Sequence, residues 1–265
     1  MDNLPQSAAP GVEPPTGNAG PPAGGWAVAA GHGVEWWSAG WQLFRASPWI
    51  WIAIIVLYIA IMFGLSFIPI LGQIASTLLY PVLSAGVLVG ARALDRGEDL
   101  RIEHLFACFN QKAVPLIIVA LLNFAGWFVV WVVAAGLLVA LVGFGTLAAL
   151  FSGDPAESGI ALLSMLGIGS IIVLLVAALL GVPLIMAYWF APALVLFRGD
   201  EPIAAMKASF VACLRNIPPF LVYSLLAIAF AIVASIPLGL GWFVLMPVYA
   251  ATIYASYKDI YGEPA

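Results

Sequence analysis

Six long stretches of this chain carry almost no charge, and this feature constrains the fold more than any other. A helix needs about 20 apolar residues to cross the hydrocarbon core of a bilayer. Hydrophobic residues make up 64% of the 265 residues and charged residues only 8%, whereas soluble domains carry roughly 25% charged residues. We therefore predict an all-α, polytopic transmembrane helix bundle with about six spans. The predicted spans are residues 49–67, 74–94, 115–151, 160–197, 220–236 and 242–257.

The two middle blocks, residues 115–151 and 160–197, are longer than one perpendicular span requires. Each could be a single long helix that tilts, kinks or extends beyond the bilayer, or it could contain an extra break. Pro183 and Pro192 are the expected kink sites, because proline removes a backbone donor and clashes with the preceding turn.

All nine Lys and Arg residues fall on one side of the predicted spans. The other side carries only Asp154 and Glu157, in the loop between the third and fourth spans. Because loops on the cytoplasmic side are enriched in Lys and Arg, both termini are predicted to be cytoplasmic. The pI near 5.0 and the lack of a basic stripe argue against nucleic-acid binding.

The first 33 residues differ in composition from the rest of the chain. They are rich in Pro, Gly and Ala and contain no Lys or Arg. Such a segment cannot bury enough apolar surface to offset the entropy lost on ordering. It also lacks the basic start and apolar run of a signal peptide. We predict a disordered cytoplasmic tail over residues 1–33 and an integral membrane domain over residues 34–265.

The membrane domain contains one pattern three times, at about residues 34–99, 100–201 and 202–263. In each copy a short amphipathic stretch ends in a basic residue, and a proline three positions later begins a span. The returning span contains another proline, and a glycine follows it after 15 or 16 residues. The basic residues and first prolines are Arg45 and Pro48, Lys112 and Pro115, and Arg215 and Pro218; the later positions are Pro81, Pro183 and Pro247, and Gly97, Gly199 and Gly262.

We interpret each copy as an interfacial helix followed by a helical hairpin. A helix with aromatic residues on one face and a basic residue at its end is typical of the headgroup layer. Proline is tolerated in the first turn of the outgoing span. The later prolines should kink the returning spans. We favour the interpretation that these kinks allow the helices to pack around a pseudo-threefold centre. The alternative is that they serve as gating hinges.

The predicted membrane interior contains no Asp, Glu, Lys, Arg or His. Ion-coupled transporters and membrane enzymes normally place such groups within the bilayer despite their energetic cost. We therefore predict no catalytic, cofactor-binding or metal-binding residues, no cofactor and no enzymatic activity. Asn123 is the one amide well inside a span. Its expected role is a hydrogen bond between helices, with binding of a polar solute as the alternative.

Two other features allow more than one interpretation. Gly86 and Gly90 form a GxxxG motif, which favours close helix packing either within one chain or between two copies. Cys108 and Cys213 lie in the short amphipathic stretches. We predict that they are reduced packing thiols, with palmitoylation as the alternative.

The segment Trp37-Ser-Ala-Gly-Trp41-Gln-Leu-Phe44-Arg45-Ala-Ser-Pro48 runs directly into an apolar span. Here the chain resembles an uncharacterised family of bacterial polytopic inner-membrane proteins of unknown function, over about residues 36–261. More loosely, the repeated pattern is similar to the membrane domain of some bacterial glycerophosphodiester phosphodiesterases, whose chemistry belongs to a separate soluble domain. The resemblance implies a compartment and a fold, and it transfers no catalytic residue.

The leading functional hypothesis is a non-catalytic inner-membrane protein that associates with membrane lipids, a second copy of itself or a membrane protein partner in the cell envelope. The alternative is a passive channel or transporter for a small neutral or apolar solute. A membrane enzyme ranks third, because the sequence offers no catalytic constellation.

Overall fold

The computed structural model describes residue 22 and residues 24–109, 112–152 and 155–262, with the backbone alone for residues 142–150, 152, 155–166 and 168. Regular structure in these residues is entirely helical, which confirms the predicted all-α bundle. The helices are α1 (His32–Ala46), α2 (Pro48–Ser66), α3 (Leu71–Asp95), α4 (Ala113–Ser152), α5 (Pro155–Trp189), α6 (Ala191–Ala193), α7 (Pro202–Arg215), α8 (Ile217–Ser235) and α9 (Trp242–Tyr261), with a 3₁₀ segment at Ile102–Phe109 and a π-helical turn at Leu194–Arg198.

Five helical segments of the described chain are long and apolar enough to cross a membrane, and they coincide with the first five predicted spans. The sixth predicted span is helical but is not apolar enough to qualify by itself. The five segments are Pro48–Ser66, Leu71–Asp95, Ala113–Leu141, Gly169–Arg198 and Ile217–Ser235.

Helix α9, the sixth predicted span, nevertheless runs back along the full length of α8. At one end, Trp242 Nε1 donates a hydrogen bond to Ser235 Oγ at 3.1 Å. At the other end, the backbone of Trp26 bonds both to Ile260 O, near the end of α9, and to Asn216 Nδ2, just before α8. The two helices therefore cover the same depth of the bundle.

Helix α9 is less apolar because much of its surface contacts protein rather than lipid. Its polar residues Thr252 and Ser256 are buried, as are Tyr254 and Tyr257. Polar side chains in membrane helices normally face the bundle interior in this way. The low hydropathy of α9 therefore follows from an inner position in the bundle.

The two middle blocks are long helices. Helix α4 has 40 residues, which at 1.5 Å per residue corresponds to about 60 Å. A hydrocarbon core of about 30 Å is crossed by roughly 26 residues even at a tilt of about 40°. Tilt alone therefore does not place all 40 residues of α4 within the hydrocarbon core. Helix α5 includes Pro183, and the helix is interrupted at Phe190, two residues before Pro192.

Each short helix packs against the returning helix of a different copy of the pattern. Helix α1 lies against α9, the 3₁₀ segment Ile102–Phe109 lies against α3, and α7 lies against α5. The third copy is thereby paired with the first, so the three pairings form a closed cycle. A pseudo-threefold arrangement would produce such a cycle, although the internal repeat itself stays a prediction.

The GxxxG motif on α3 serves packing within the chain. A Cβ added at Gly86 would overlap the carbonyl oxygen of Leu105 and lie 2.7 Å from His104 O. A Cβ at Gly90 would lie 2.7 Å from Leu100 Cδ1. The 3₁₀ segment therefore packs directly against the backbone of α3 at these two glycines.

Helix α1 lies beside α9 and antiparallel to it. His32, at the start of α1, meets Asp259, whereas a Cβ at Gly40 would lie 2.5 Å from Thr252 Cγ2 and 3.0 Å from Val248 O. The axis of α1 therefore follows the bundle. This differs from the expected position in the headgroup layer, where the helix would lie across the spans. Close approach at glycine, which has no side chain, makes the side-by-side packing feasible.

The N-terminal tail ends earlier than predicted. Residues 1–21 and 23 lie outside the described residues, but the backbone from Gly24 onward is bound to the bundle. Arg215 Nη1 donates to Gly25 O at 3.3 Å, and Val28 N donates to Asn216 Oδ1 at 2.8 Å. The boundary at residue 33 is thus too late by about ten residues, because the last part of the tail pairs its polar backbone groups with α7, α8 and α9.

Candidate functional site

The ends of the three returning helices meet in a ring of charged and aromatic contacts, which we call the junction. It consists of the last turns of α3 and α9 and the turn Leu194–Arg198. Three contacts join the copies of the pattern to one another. The Arg92 guanidinium of the first copy lies 4.9 Å from the Phe197 ring centroid of the second, and the Arg198 guanidinium of the second lies 5.5 Å from the Tyr261 centroid of the third. Lys258 Nζ of the third copy lies 2.6 Å from Asp95 Oδ2 of the first.

Cation–π contacts and an ion pair of this kind tie neighbouring helices together. Tyr254 adds a hydrogen bond of 2.9 Å from its hydroxyl to Asp95 Oδ2. The packed rings of Phe197, Tyr254 and Tyr257 fill the space between the helices. The junction therefore closes one end of the bundle.

The three glycines of the pattern lie where the returning helices end at the junction. Gly97, Gly199 and Gly262 have φ angles of 77°, 73° and 73°. Residues with a Cβ rarely adopt this left-handed region, and glycine commonly ends helices there. A positive φ angle is thus required at all three positions, which explains why each is glycine.

The basic residues that precede the outgoing spans are not gathered into one site. Arg45 is exposed at the end of α1. Lys112 Nζ approaches the turn at Gly199, and Arg215 contacts the N-terminal segment. Their prolines lie within the first turns of the following helices: Pro48, Pro115 and Pro218 are the first, third and second residues of α2, α4 and α8.

A second charged cluster holds α1 to α9. Asp259 Oδ2 lies 2.8 Å from His32 Nδ1 and accepts a hydrogen bond of 2.8 Å from Trp36 Nε1. Glu35 lies farther from the imidazole, at 3.7 Å. This cluster was missed from the sequence, because its two halves are more than 220 positions apart in the chain.

An apolar groove runs between α1, α8 and α9, with a volume of about 630 Å³. Trp37 and Trp41 line it on α1, Phe230 and Val233 on α8, and Leu245 on α9. The polar indole nitrogen of Trp37 is engaged by the carbonyl oxygen of Tyr223 at 3.2 Å. The groove wall therefore presents hydrocarbon and aromatic carbon.

Two further cavities adjoin one another inside the bundle and share Tyr80 and Tyr188. The polar chamber, of about 600 Å³, lies between α3, α4 and α5 and is lined on α4 by Asn123. The inner cavity, of about 280 Å³, lies between α2, α3, α5 and α9 and includes Tyr58 and Tyr249. Together they bring Asn123 and four tyrosines to one region of the described bundle.

The chamber and the inner cavity lie next to the prolines inside two returning helices. Tyr80 directly precedes Pro81, and Tyr249 follows Pro247 by two positions; both helices continue through these prolines. Such tyrosines were visible in the sequence only as scattered polar residues. Their placement beside a proline of the returning spans was the signal that could have identified Tyr80 and Tyr249.

Three polar atoms around these cavities are buried and lack a hydrogen-bond partner: Asn123 Oδ1, Tyr188 Oη and Trp189 Nε1. Asn123 was expected to bond between helices, and its side-chain oxygen does not. An unpaired buried polar group costs about 1–3 kcal/mol. These atoms therefore mark a place where a ligand or water would supply the missing bonds.

The two cysteines are buried thiols outside the five apolar spans. Burial raises the pKa of Cys108 to about 11, opposed by nearby Lys112, and it raises that of Cys213 to about 12, opposed by a bond with Ser209. The Cys213 thiol lies 3.5 Å from Met186 O. Both environments suit packing thiols.

The loop between the third and fourth predicted spans carries the acidic residues Asp154 and Glu157. Asp154 lies outside the described residues, as does the side chain of Glu157.

Comparison with known proteins identifies a relative that spans most of the chain. The chain is 29% identical over 252 residues to a probable inner membrane protein of Burkholderia thailandensis, and the alignment covers 89% of this chain and 93% of the relative. No known family model and no solved structure matches the chain. The relative and the five apolar helices together identify a multi-pass integral membrane protein.

Proposed function

We propose that this multi-pass inner-membrane protein is a non-catalytic lipid-binding component of the cell envelope. The observation that carries the proposal is the apolar groove between α1, α8 and α9. Membrane lipids are its expected partners, and a second copy or another membrane protein is the further partner class. Neither a cofactor nor nucleic acid is part of the proposed function.

The position of the groove supports an acyl chain as its occupant. Its wall includes residues of α8, one of the five helices apolar enough to lie in the bilayer. Val233 and Trp41 at the groove are 62% and 45% exposed, so the groove is open to the surrounding medium. In a bilayer that medium is hydrocarbon. A volume of about 630 Å³ lies within the usual range of ligand pockets.

The placement of charge supports a non-catalytic role. The ion pair Lys258–Asp95 and the two cation–π contacts lie in the junction, and a further ion pair joins Arg198 to Asp200, so these charged groups tie chain segments together. Catalytic groups are instead expected in a cleft with access to substrate. In the groove the lining residues are apolar apart from Ser38.

Photo-crosslinking in nanodiscs tests the lipid proposal. A phospholipid with a diazirine in one acyl chain should label α1, α8 and α9 at the groove, as mapped by mass spectrometry. Ser38→Phe places a ring in the groove from an exposed position and should lower that labelling at least fivefold. Leu225→Phe, at a 68% exposed position outside the groove, is the matched control. Equal labelling of both variants, or labelling spread evenly over all exposed helices, would contradict the proposal.

The proposed orientation places both termini in the cytoplasm. It is supported by the one-sided distribution of Lys and Arg and by the course of α9 back along α8, which makes the number of crossings even. A C-terminal green fluorescent protein should fluoresce and a C-terminal alkaline phosphatase should be inactive. The reverse result would place the C-terminus outside and would contradict the proposed orientation.

A passive facilitator for a small neutral solute is the second candidate, because polar groups line two adjoining cavities inside the bundle. Liposome flux of small polyols above that of empty vesicles, reduced by Tyr80→Trp, would favour it. Background flux for all solutes would count against it. The looser likeness to the membrane domain of glycerophosphodiester phosphodiesterases stays a prediction and supplies no activity.

A further inference from the structure

We propose that the polar chamber between α3, α4 and α5 is a binding site for an uncharged lipid with a free hydroxyl headgroup, such as a long-chain or isoprenoid alcohol. The chamber shares no lining residue with the apolar groove. The inference therefore goes beyond the proposed acyl-chain site and does not depend on it.

The unpaired atoms of the chamber specify the headgroup. Asn123 Oδ1 can only accept a hydrogen bond, and it is buried without a donor. Tyr188 Oη, also buried and unpaired, can donate and accept. A ligand hydroxyl carries both functions that these atoms require, since it can donate to the amide oxygen and accept from the phenol. A ketone or an ether offers no donor and leaves Asn123 Oδ1 unpaired.

Hydroxyls of the protein do not supply the missing donor. Thr77, which also lines the chamber, directs its hydroxyl to Gln73 O at 2.8 Å. Ser84 in the adjoining cavity donates to Pro81 O at 3.1 Å. Both groups satisfy carbonyls of their own helix. Neither hydroxyl is therefore available to Asn123 Oδ1, and a hydroxyl from outside the chain can supply the donor.

The walls of the chamber exclude a charged headgroup. Its lining residues include no Asp, Glu, Lys, Arg or His. A phosphate or ammonium group would enter a low-dielectric space without a counter-charge, at a cost far above that of a neutral hydroxyl. Phospholipids are therefore poor ligands for this chamber, although they suit the bilayer-facing groove.

The mouth of the chamber opens towards the bilayer. Phe124, Phe128 and Trp131 of α4 line it and are 56%, 61% and 71% exposed. These residues belong to the apolar span Ala113–Leu141. Aromatic faces at the mouth can hold the hydrocarbon tail while the hydroxyl reaches Asn123 and Tyr188. A ligand thus enters from the lipid phase, headgroup first.

A pair of photo-probes tests the inference with the full-length protein in nanodiscs. One probe is farnesol with a diazirine in its chain, and the other is its methyl ether, which has the same chain but no donor. The wild-type protein should bind the alcohol at least tenfold more tightly, with labels on α3 and α4 at the chamber mouth. Equal affinities for the two probes would overturn the inference.

Variants at the two unpaired atoms supply the control. Asn123→Leu has similar volume and removes the acceptor, so the tenfold preference should disappear while the midpoint of thermal unfolding is kept or raised. Tyr188→Phe should reduce the preference in part. Leu122→Met, on the neighbouring exposed position of α4, should leave it unchanged.

The outcomes separate this site from the proposed groove. Ser38→Phe should affect labelling by the phospholipid probe and leave the farnesol preference intact. A farnesol preference that survives Asn123→Leu would refute the chamber, whatever happens at the groove. Absence of labelling at the chamber by both probes would also refute the lipid site, and would mean that only water bonds to Asn123 and Tyr188.

Discussion

Replacing Gly86 with alanine tests the close contact between α3 and the 3₁₀ segment Ile102–Phe109. The added Cβ would lie 2.6 Å from the carbonyl carbon of Leu105 and 2.7 Å from His104 O, both backbone atoms, and real Cβ contacts essentially never fall below 3.0 Å. Because no side-chain rotation can relieve the overlap, the whole 3₁₀ segment must move away from α3.

The expected loss follows from two opposing effects. Overpacking of a well-packed core costs about 1–3 kcal/mol. Alanine in place of glycine within a helix restores roughly 0.5–1 kcal/mol. The net destabilisation of Gly86→Ala should therefore lie between about 0 and 2.5 kcal/mol, centred at about 1 kcal/mol. Gly64→Ala is the matched control, because Gly64 is also helical and a Cβ added there would have no atom within 4 Å. It should be neutral or slightly stabilising.

Unfolding in mixed micelles with increasing sodium dodecyl sulfate, followed by circular dichroism, gives the two free energies. The oligomeric mass of Gly86→Ala should equal that of the wild-type protein, since its glycines serve contacts within the chain. Equal stability of Gly86→Ala and Gly64→Ala would refute the packing of the 3₁₀ segment. A change in oligomeric mass would instead assign the GxxxG motif to a contact between copies.

Three further predictions concern other contacts. Gly40→Ala should destabilise the protein by about 1–2 kcal/mol in the same titration, because its Cβ would meet Thr252. Asp95→Asn should weaken the junction by no more than about 1 kcal/mol, with the loss shrinking at high salt, since Lys258 is 42% exposed. Cys108 and Cys213 should react with maleimide at pH 8 only after denaturation. Their pKa values of about 11 and 12 keep both thiols protonated at that pH, and the thiolate is the form that reacts. Rapid labelling of the folded protein would contradict their burial.

Part of the candidate site was predictable from local chemistry. The absence of ionisable residues from the spans and the presence of Asn123 in one of them were evident from the sequence. The unpaired state of Asn123 Oδ1 was not, because it depends on which groups α3 and α5 bring near it. An amide inside a membrane span usually bonds to a neighbouring helix, which is why the sequence predicted such a bond for Asn123. In this packing its side-chain oxygen has no donor.

The sequence by itself determined that the chain is an all-α membrane protein, because a run of apolar residues needs hydrocarbon around it and a helix to pair its backbone groups. It also indicated where helices begin and end, since proline and glycine act on their nearest neighbours in the chain. Only the tertiary structure decided that α1 lies along α9, that α9 occupies an inner position, and that Tyr80, Asn123 and Tyr188 share a chamber. These pairings join segments far apart in the chain, and their energies depend on surface shape and on hydrogen-bond partners across helices, which the order of residues within a single span does not specify.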